Sequence, residues 1–205
     1  MNILKRTPIL ALLIVTILVM HGCAGAPKKP RKTVQTLKLG NFDRAYVPNE
    51  APVIAHMISI VQPELDANAR HKIANDISHA SKKYNVEPQI MVALIDTESN
   101  FNFKKISSTG DLSLAQINVE VWNVEFKRMK LPLIKKEELV KEDQAYAMKI
   151  MAQILSIIKS RYSKKDRRWY ARYHSNTTRF KVDYLEKIEV RMKMLSESQS
   201  AIAMK

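Results

Sequence analysis

Apolar positions along the chain change from no period to a sustained helical one. From Asp66 onward, Ala69, Ile73, Ile77, Ala80 and Tyr84 recur every three or four residues, with Asp66 or Asn68 placed to cap the first turn, which predicts a first helix. Asn85 and Val86 interrupt it. Pro88 suits the first turn of a second helix, whose buried face is Ile90, Met91, Leu94 and Ile95. Leu114, Ile117, Val121 and Val124 predict a third, from about Leu112 to Lys127. The longest stripe, Ala147, Met148, Met151, Ile154, Leu155, Ile158 and Tyr162, predicts a long helix from about Glu137 to Tyr162 as the central core element. A closing helical pair follows from RRWYARYHS and from Phe180, Tyr184, Ile188, Met192 and Leu195, before a polar tail. Upstream, Ala24 to Val61 is rich in Pro, Lys, Thr and Asn and reads as a tether, though VIAHMISIV at Val53–Val61 is apolar enough to be an ordered lead-in that packs on the domain. There is no internal repeat, and the methionine-rich stripes read as core filler.

Composition narrows the class. A chain of 205 residues, 46% of them hydrophobic, supports one ordinary core with extensions. Only 4 glycines, with Leu, Ile, Met, Ala and Lys common, favour an all-α fold over a turn-rich β fold. At the start, Lys5 and Arg6 precede an apolar run from Pro8 to Met20, too short to span a membrane comfortably and suited to a secretory signal. The only cysteine, Cys23, follows within MHGC, which resembles the lipobox of bacterial lipoproteins. That resemblance implies acylation of Cys23 and anchoring to a membrane, although Met20 and His21 depart from the usual motif; a plain signal peptide or an uncleaved anchor is the alternative. The formal charge of +14 falls to +12 without residues 1–22, since Lys5 and Arg6 leave and that segment holds no acid. An exported basic protein meets anionic envelope polymers. Charge alone admits nucleic acid, but no recognition motif or aromatic-basic platform accompanies it, so no nucleic-acid partner is expected. His21, His56, His71, His79 and His174 are scattered, with no metal-ligand spacing, phosphate-binding glycine loop or Ser/Cys nucleophile motif, so neither metal nor cofactor is expected. Trp122 and Trp169 suit a core better than a sugar platform.

One residue breaks the apolar logic of the second helix. Glu98 lies four residues after Leu94 and seven after Met91, so it projects from the same face, in the last turn. Desolvation and the negative end of the helix dipole both oppose its charge there. A carboxyl kept neutral is what a general acid needs. From spacing alone, a structural ion pair or a cap on the next turn is the commoner outcome.

The neighbouring residues shift that balance. Glu98-Ser99, Phe101, then SSTG at Ser107–Gly110 with Leu114 and Gln116, resemble the ES…SSxGAxGLMQ signature of soluble lytic transglycosylases, bacterial relatives of goose-type lysozyme. The similarity extends more weakly from about Asp66 to Arg191, and ARYHSNTTRFKVDYLEKI is similar to the family's AYNAG or RYNSG segment. The resemblance implies an all-α, lysozyme-like domain that cleaves peptidoglycan between N-acetylmuramic acid and N-acetylglucosamine. In it Glu98 would protonate the glycosidic oxygen and then act as base while the muramoyl 6-hydroxyl attacks its own anomeric carbon, leaving a 1,6-anhydro end. Ordinary glycoside hydrolysis uses two carboxylates; Asp96 should face away from Glu98, and Asp111 is the best local candidate for a second. Carried over by position, Ser99 would support the glutamate or the turn, Ser108 and Gly110 would shape the wall of the sugar cleft, and Gln116 would offer its amide to the glycan. Tyr173 would lie near the catalytic carboxyl and Tyr184 matches the later tyrosine. Turn chemistry for Ser107–Gly110 and core packing for the tyrosines remain open alternatives.

Departures from the pattern fall on substrate contacts. Ser113 stands for a glycine, Ala115 for a methionine, Ala147 for an asparagine of the central helix, and His174 for an asparagine, adding a titratable group. The expected plan is a lipoprotein signal peptide at 1–22, a lipidated N-terminus and tether at 23–61, the transglycosylase-like domain at 62–195 and a polar tail at 196–205. The expected setting is the cell envelope, periplasmic and anchored to the outer membrane, with peptidoglycan strands as substrate and an envelope machine as a further partner. A muramidase that finishes with water, and a non-catalytic peptidoglycan-binding lipoprotein, are the competing readings.

Overall fold

A computed structural model of the chain describes residues 50–174 and 178–203, all within the unit Leu39–Lys205. The other unit, Met1–Lys38, and residues 39–49 lie outside the described residues, and with them the expected signal peptide, Cys23 and most of the tether. The described residues form α1 (Ala51–Val61), α2 (Ala67–Tyr84), α3 (Pro88–Ser99), α4 (Val119–Arg128), α5 (Lys136–Leu139), α6 (Ala145–Tyr162), a 3-10 helix (Trp169–Tyr173) and α7 (Thr178–Ala203). No strand occurs among them beyond an isolated bridge between Leu112 and Ile117. No described helix is long and apolar enough to cross a membrane.

Local chemistry sets the helix ends. The Asp66 carboxylate accepts from the Ala69 amide at 2.9 Å and caps α2, which closes on Asn85 in the left-handed region at φ 52°. Pro88 opens α3, and Asn100, also left-handed at φ 53°, closes it with its amide on the Asp96 carbonyl. Packing then selects the centre. In α3 every residue from Ile90 to Asp96 is buried, so this helix is enclosed by α1, α2 and α7. Each fully buried Leu, Ile, Met or Val contributes about 1.5–3 kcal/mol relative to exposure. α6 instead shows a one-sided stripe, packed against α2, α5 and the 3-10 helix.

Four expectations need correction. The stretch 51–61 is helix α1, with Ile54, Ala55, Met57 and Ile58 buried against α2, α3 and α7, so the packed domain begins before residue 62 and the lead-in is part of it. The third helix starts at Val119, seven residues later than its apolar pattern suggested, because Leu112–Ile117 folds as a buried turn; Val121 and Val124 are then 60% and 69% exposed and Phe126 is the residue α4 buries. The helix expected from Glu137 is broken between Leu139 and Ala145, and α3 rather than α6 is the enclosed element. The tail from Ser196 continues α7 as far as Ala203. The Phe180 side chain, expected in the core, lies outside the described residues.

Candidate active site

Glu98 occupies the last turn of α3 with its side chain 11% exposed. Its Oε1 accepts a hydrogen bond from the Tyr184 hydroxyl of α7 at 2.5 Å. His174, just after the 3-10 helix, brings Nδ1 to 3.7 Å from the same oxygen and stacks on Tyr184 with ring centroids 4.4 Å apart. Burial first, then the nearby Glu98 carboxylate, hold the Tyr184 phenol well above its usual pKa, so it remains a donor across the physiological range. Lys105 donates to the Glu98 backbone carbonyl at 2.5 Å, a cation at the negative end of α3.

The loop after α3 wraps this turn. Ser99 donates to the Leu114 carbonyl at 2.7 Å and to its own helix at Ile95, so of the two supports it offered it serves the turn. Gly110 sits at φ 81°, where a Cβ would meet no neighbour but would strain the backbone; it and Ser108 are exposed. Ser107 and Thr109 both donate to Asp111 Oδ2, and Asn118 donates to Oδ1 while capping α4, so Asp111 is consumed in holding the turn. Ser113 takes φ 72°, which explains why a glycine suits that position, and here its Oγ accepts from the Ala115 amide. Ala147, at the position of the family's asparagine, is fully buried.

One expected role changes. Gln116 does not present its amide nitrogen outward: Nε2 donates to the Lys105 and Ser113 carbonyls at 2.8 and 3.0 Å, bracing the loop from within. Tyr173 lies near the carboxyl, where burial first and then the Glu98 charge hold its phenol well above the usual pKa, while its hydroxyl donates to the Ala115 carbonyl at 2.8 Å; Tyr184 is the tyrosine that bonds Glu98. Asp96 faces away from Glu98, as its spacing requires, and pairs with Arg191 at 2.5 Å.

Gln144 went unnoticed in the sequence. Its Oε1 accepts from the Leu114 amide at 3.1 Å while Nε2 donates to the Leu139 and Lys141 carbonyls, tying the site loop to the α5–α6 junction. The available signal was its register with Met148, Met151 and Leu155, a polar residue at the head of an apolar stripe. Gln144→Leu strands the buried Leu114 amide and two carbonyls. A stability loss of about 2 kcal/mol is expected, read as a lower urea midpoint, because an unpaired buried polar group costs about 1–3 kcal/mol.

An all-helical domain arranged around one enclosed helix, with the Glu98 carboxyl at its C-terminal turn and a serine-rich loop folded back over it, is of lysozyme-like class. The transglycosylase SLT domain model matches residues 75–183, more than half of the chain, and the chain belongs to that family. The fold is similar to that of an inactive glutamate-to-glutamine mutant of the lytic transglycosylase Slt from Pseudomonas aeruginosa, with a TM-score of 0.50 and 14% identity. That similarity covers 62% of this chain and 24% of that one, so the chain corresponds to about a quarter of the Pseudomonas protein. No curated protein matches the chain in sequence.

Proposed function

We propose that the protein is a peptidoglycan lytic transglycosylase that cleaves the β-1,4 bond from N-acetylmuramic acid to N-acetylglucosamine and leaves a 1,6-anhydro end, with Glu98 as its only catalytic carboxyl. The observation that carries the reading is the fate of the other two acids: Asp96 is bound to Arg191 and Asp111 to three side chains of its own turn. Neither is available as the second carboxylate of ordinary glycoside hydrolysis. A nucleophile from the substrate removes the need for one. Because Tyr184 donates to Oε1, the neutral acid carries its proton on Oε2. That proton goes to the glycosidic oxygen as the C1–O bond breaks; the carboxylate then takes the proton of the muramoyl 6-hydroxyl as O6 bonds to C1, and the acid is restored without water. The Pseudomonas protein of similar fold, inactive with a glutamate changed to glutamine, is consistent with such an economy of acids.

In the same reading Ser108 and Gly110 border the glycan at the exposed turn, while Ser99, Gln116 and Tyr173 hold that turn in place. Acylation of Cys23 would anchor the protein at the periplasmic face of the outer membrane, with peptidoglycan strands within reach of the tether. Mass spectrometry of muropeptides released from purified sacculi tests the chemistry. Anhydro-ended products are expected; reducing ends would assign a muramidase, and binding without release would assign a non-catalytic sacculus-binding protein.

A further inference from the structure

Among the described residues, His174 brings a titratable ring to the Glu98 carboxyl for which the cleavage steps need no role. Its ring lies nearly parallel to Tyr184, at 16°, and this stacking aims Nδ1 at the Glu98 oxygen that receives the Tyr184 hydroxyl. At 3.7 Å the contact is an ion pair rather than a hydrogen bond. The two members sit in different surroundings, the imidazole 46% exposed and the carboxyl 11%. The charges around the imidazole are Glu98 from α3 and Asp111 from the site loop, which favour its protonated form, and Lys187 from α7, which opposes it; Tyr184 lies beneath it as a neutral phenol. Histidine ordinarily titrates near 6.5. The Glu98 carboxylate beside it raises the imidazole further, against the effect of its partial burial.

We propose that Glu98 and His174 share one proton in the free protein and that His174 holds it, competing with the carboxyl for the proton that bond cleavage requires. The kinetic half of this rests on the transglycosylase reading. To arm the acid, the Nδ1–H bond breaks with its electron pair staying on the ring nitrogen, the proton passes by way of solvent at the half-exposed ring, and an O–H bond forms at Glu98 Oε2, the oxygen Tyr184 leaves open, so an ion pair becomes a neutral pair. While the pair holds one proton, this redistribution does not depend on pH. The fraction of molecules with Glu98 armed is therefore flat while the pair holds one proton and falls about tenfold per pH unit only above the titration of His174. His174 is thus a positioning residue for a proton. Without the imidazole, the armed fraction keeps climbing about tenfold for each unit of falling pH below the point where the native protein levels off.

Two measurements on the full chain test this. With 13C-labelled histidine, the NMR titration midpoint of His174 is expected above 6.5 and to move down in Glu98→Gln; a midpoint that stays in place overturns the shared proton. Rates of sacculus release at limiting substrate, normalised at pH 9, are expected to level off below the His174 midpoint in the native protein and to keep rising in His174→Asn, with an advantage of about tenfold one unit below it. Parallel profiles overturn the competition. If the midpoint moves but neither protein releases muropeptides, the shared proton stands and the transglycosylase reading falls.

Discussion

Glu98→Gln is expected to lower muropeptide release from sacculi by about 10²–10⁴-fold, the range over which positioned acid–base groups act, while sacculus binding and the melting temperature change little. The amide has nearly the shape of the carboxyl, and its oxygen can still accept the Tyr184 hydroxyl that fixes Oε1 in the native protein. What it lacks is a proton of suitable acidity and, after transfer, a base. Because the proposed route uses one group for both steps, and Asp96 and Asp111 are engaged elsewhere, no neighbour can substitute. The loss should therefore appear in the turnover of bound substrate and lie toward the upper end of that range. A variant that retains more than a tenth of the native rate, measured beside a circular-dichroism melt of both proteins, would remove Glu98 from the chemistry.

The parts of this site that were legible in the sequence are those specified by local rules. Pro88, the 90–95 stripe and the register of Glu98 locate α3 and place its acid because helical spacing alone determines which residues share a face. Asp66 and Asn85 mark the ends of α2 by capping chemistry that operates within a few residues. Elsewhere the apolar residues were visible but their conformation was not. Leu112, Leu114 and Ile117 are apolar because they lie under a turn wrapped over α3, and an irregular buried segment mimics the start of a helix. In α1 the buried positions Ile54, Ala55, Met57 and Ile58 do share one helical face, but the exposed Val53 and half-buried Ile60 and Val61 are apolar too, which blurs the period over so short a run. The break at 140–144 contains neither proline nor glycine; it forms where Gln144 is drawn to the Leu114 amide, a long-range partner. The division of roles between the tyrosines has the same origin. Tyr173 is adjacent to the motif, but which hydroxyl meets Glu98 depends on how α7 lies along α3, and that is set by packing.

That alignment of α7 on α3 is itself held by a second polar contact, and breaking it is expected to cost about 3 kcal/mol or more. Asp96 and Glu98 lie on different sides of the last two turns of α3. Arg191 follows Tyr184 by seven residues, two turns, so both reach from one face of α7 toward α3. The Arg191 Nε–Asp96 Oδ2 contact is 2.5 Å, and the Asp96 side chain is only 7% exposed, with Gln62 Nε2 a weak second donor at 3.4 Å. In Arg191→Leu the carboxylate remains in the core without its cation, the situation in which removal of one partner of a buried pair costs about 3–5 kcal/mol. Chemical denaturation should show the loss as a lower midpoint at unchanged slope. The double variant Asp96→Leu/Arg191→Leu separates a stranded charge from lost packing: with no carboxylate left to bury, it should recover most of the stability, since apolar replacements of buried pairs are often near neutral. If the double variant is no more stable than Arg191→Leu, the pair acts through the packing of the arginine stem and not through its charge. If Arg191→Leu alone loses less than about 1 kcal/mol, the solvent on the arginine side, 23% exposed, is compensating the aspartate, and the clamp between α3 and α7 belongs to Tyr184 and the apolar stripe.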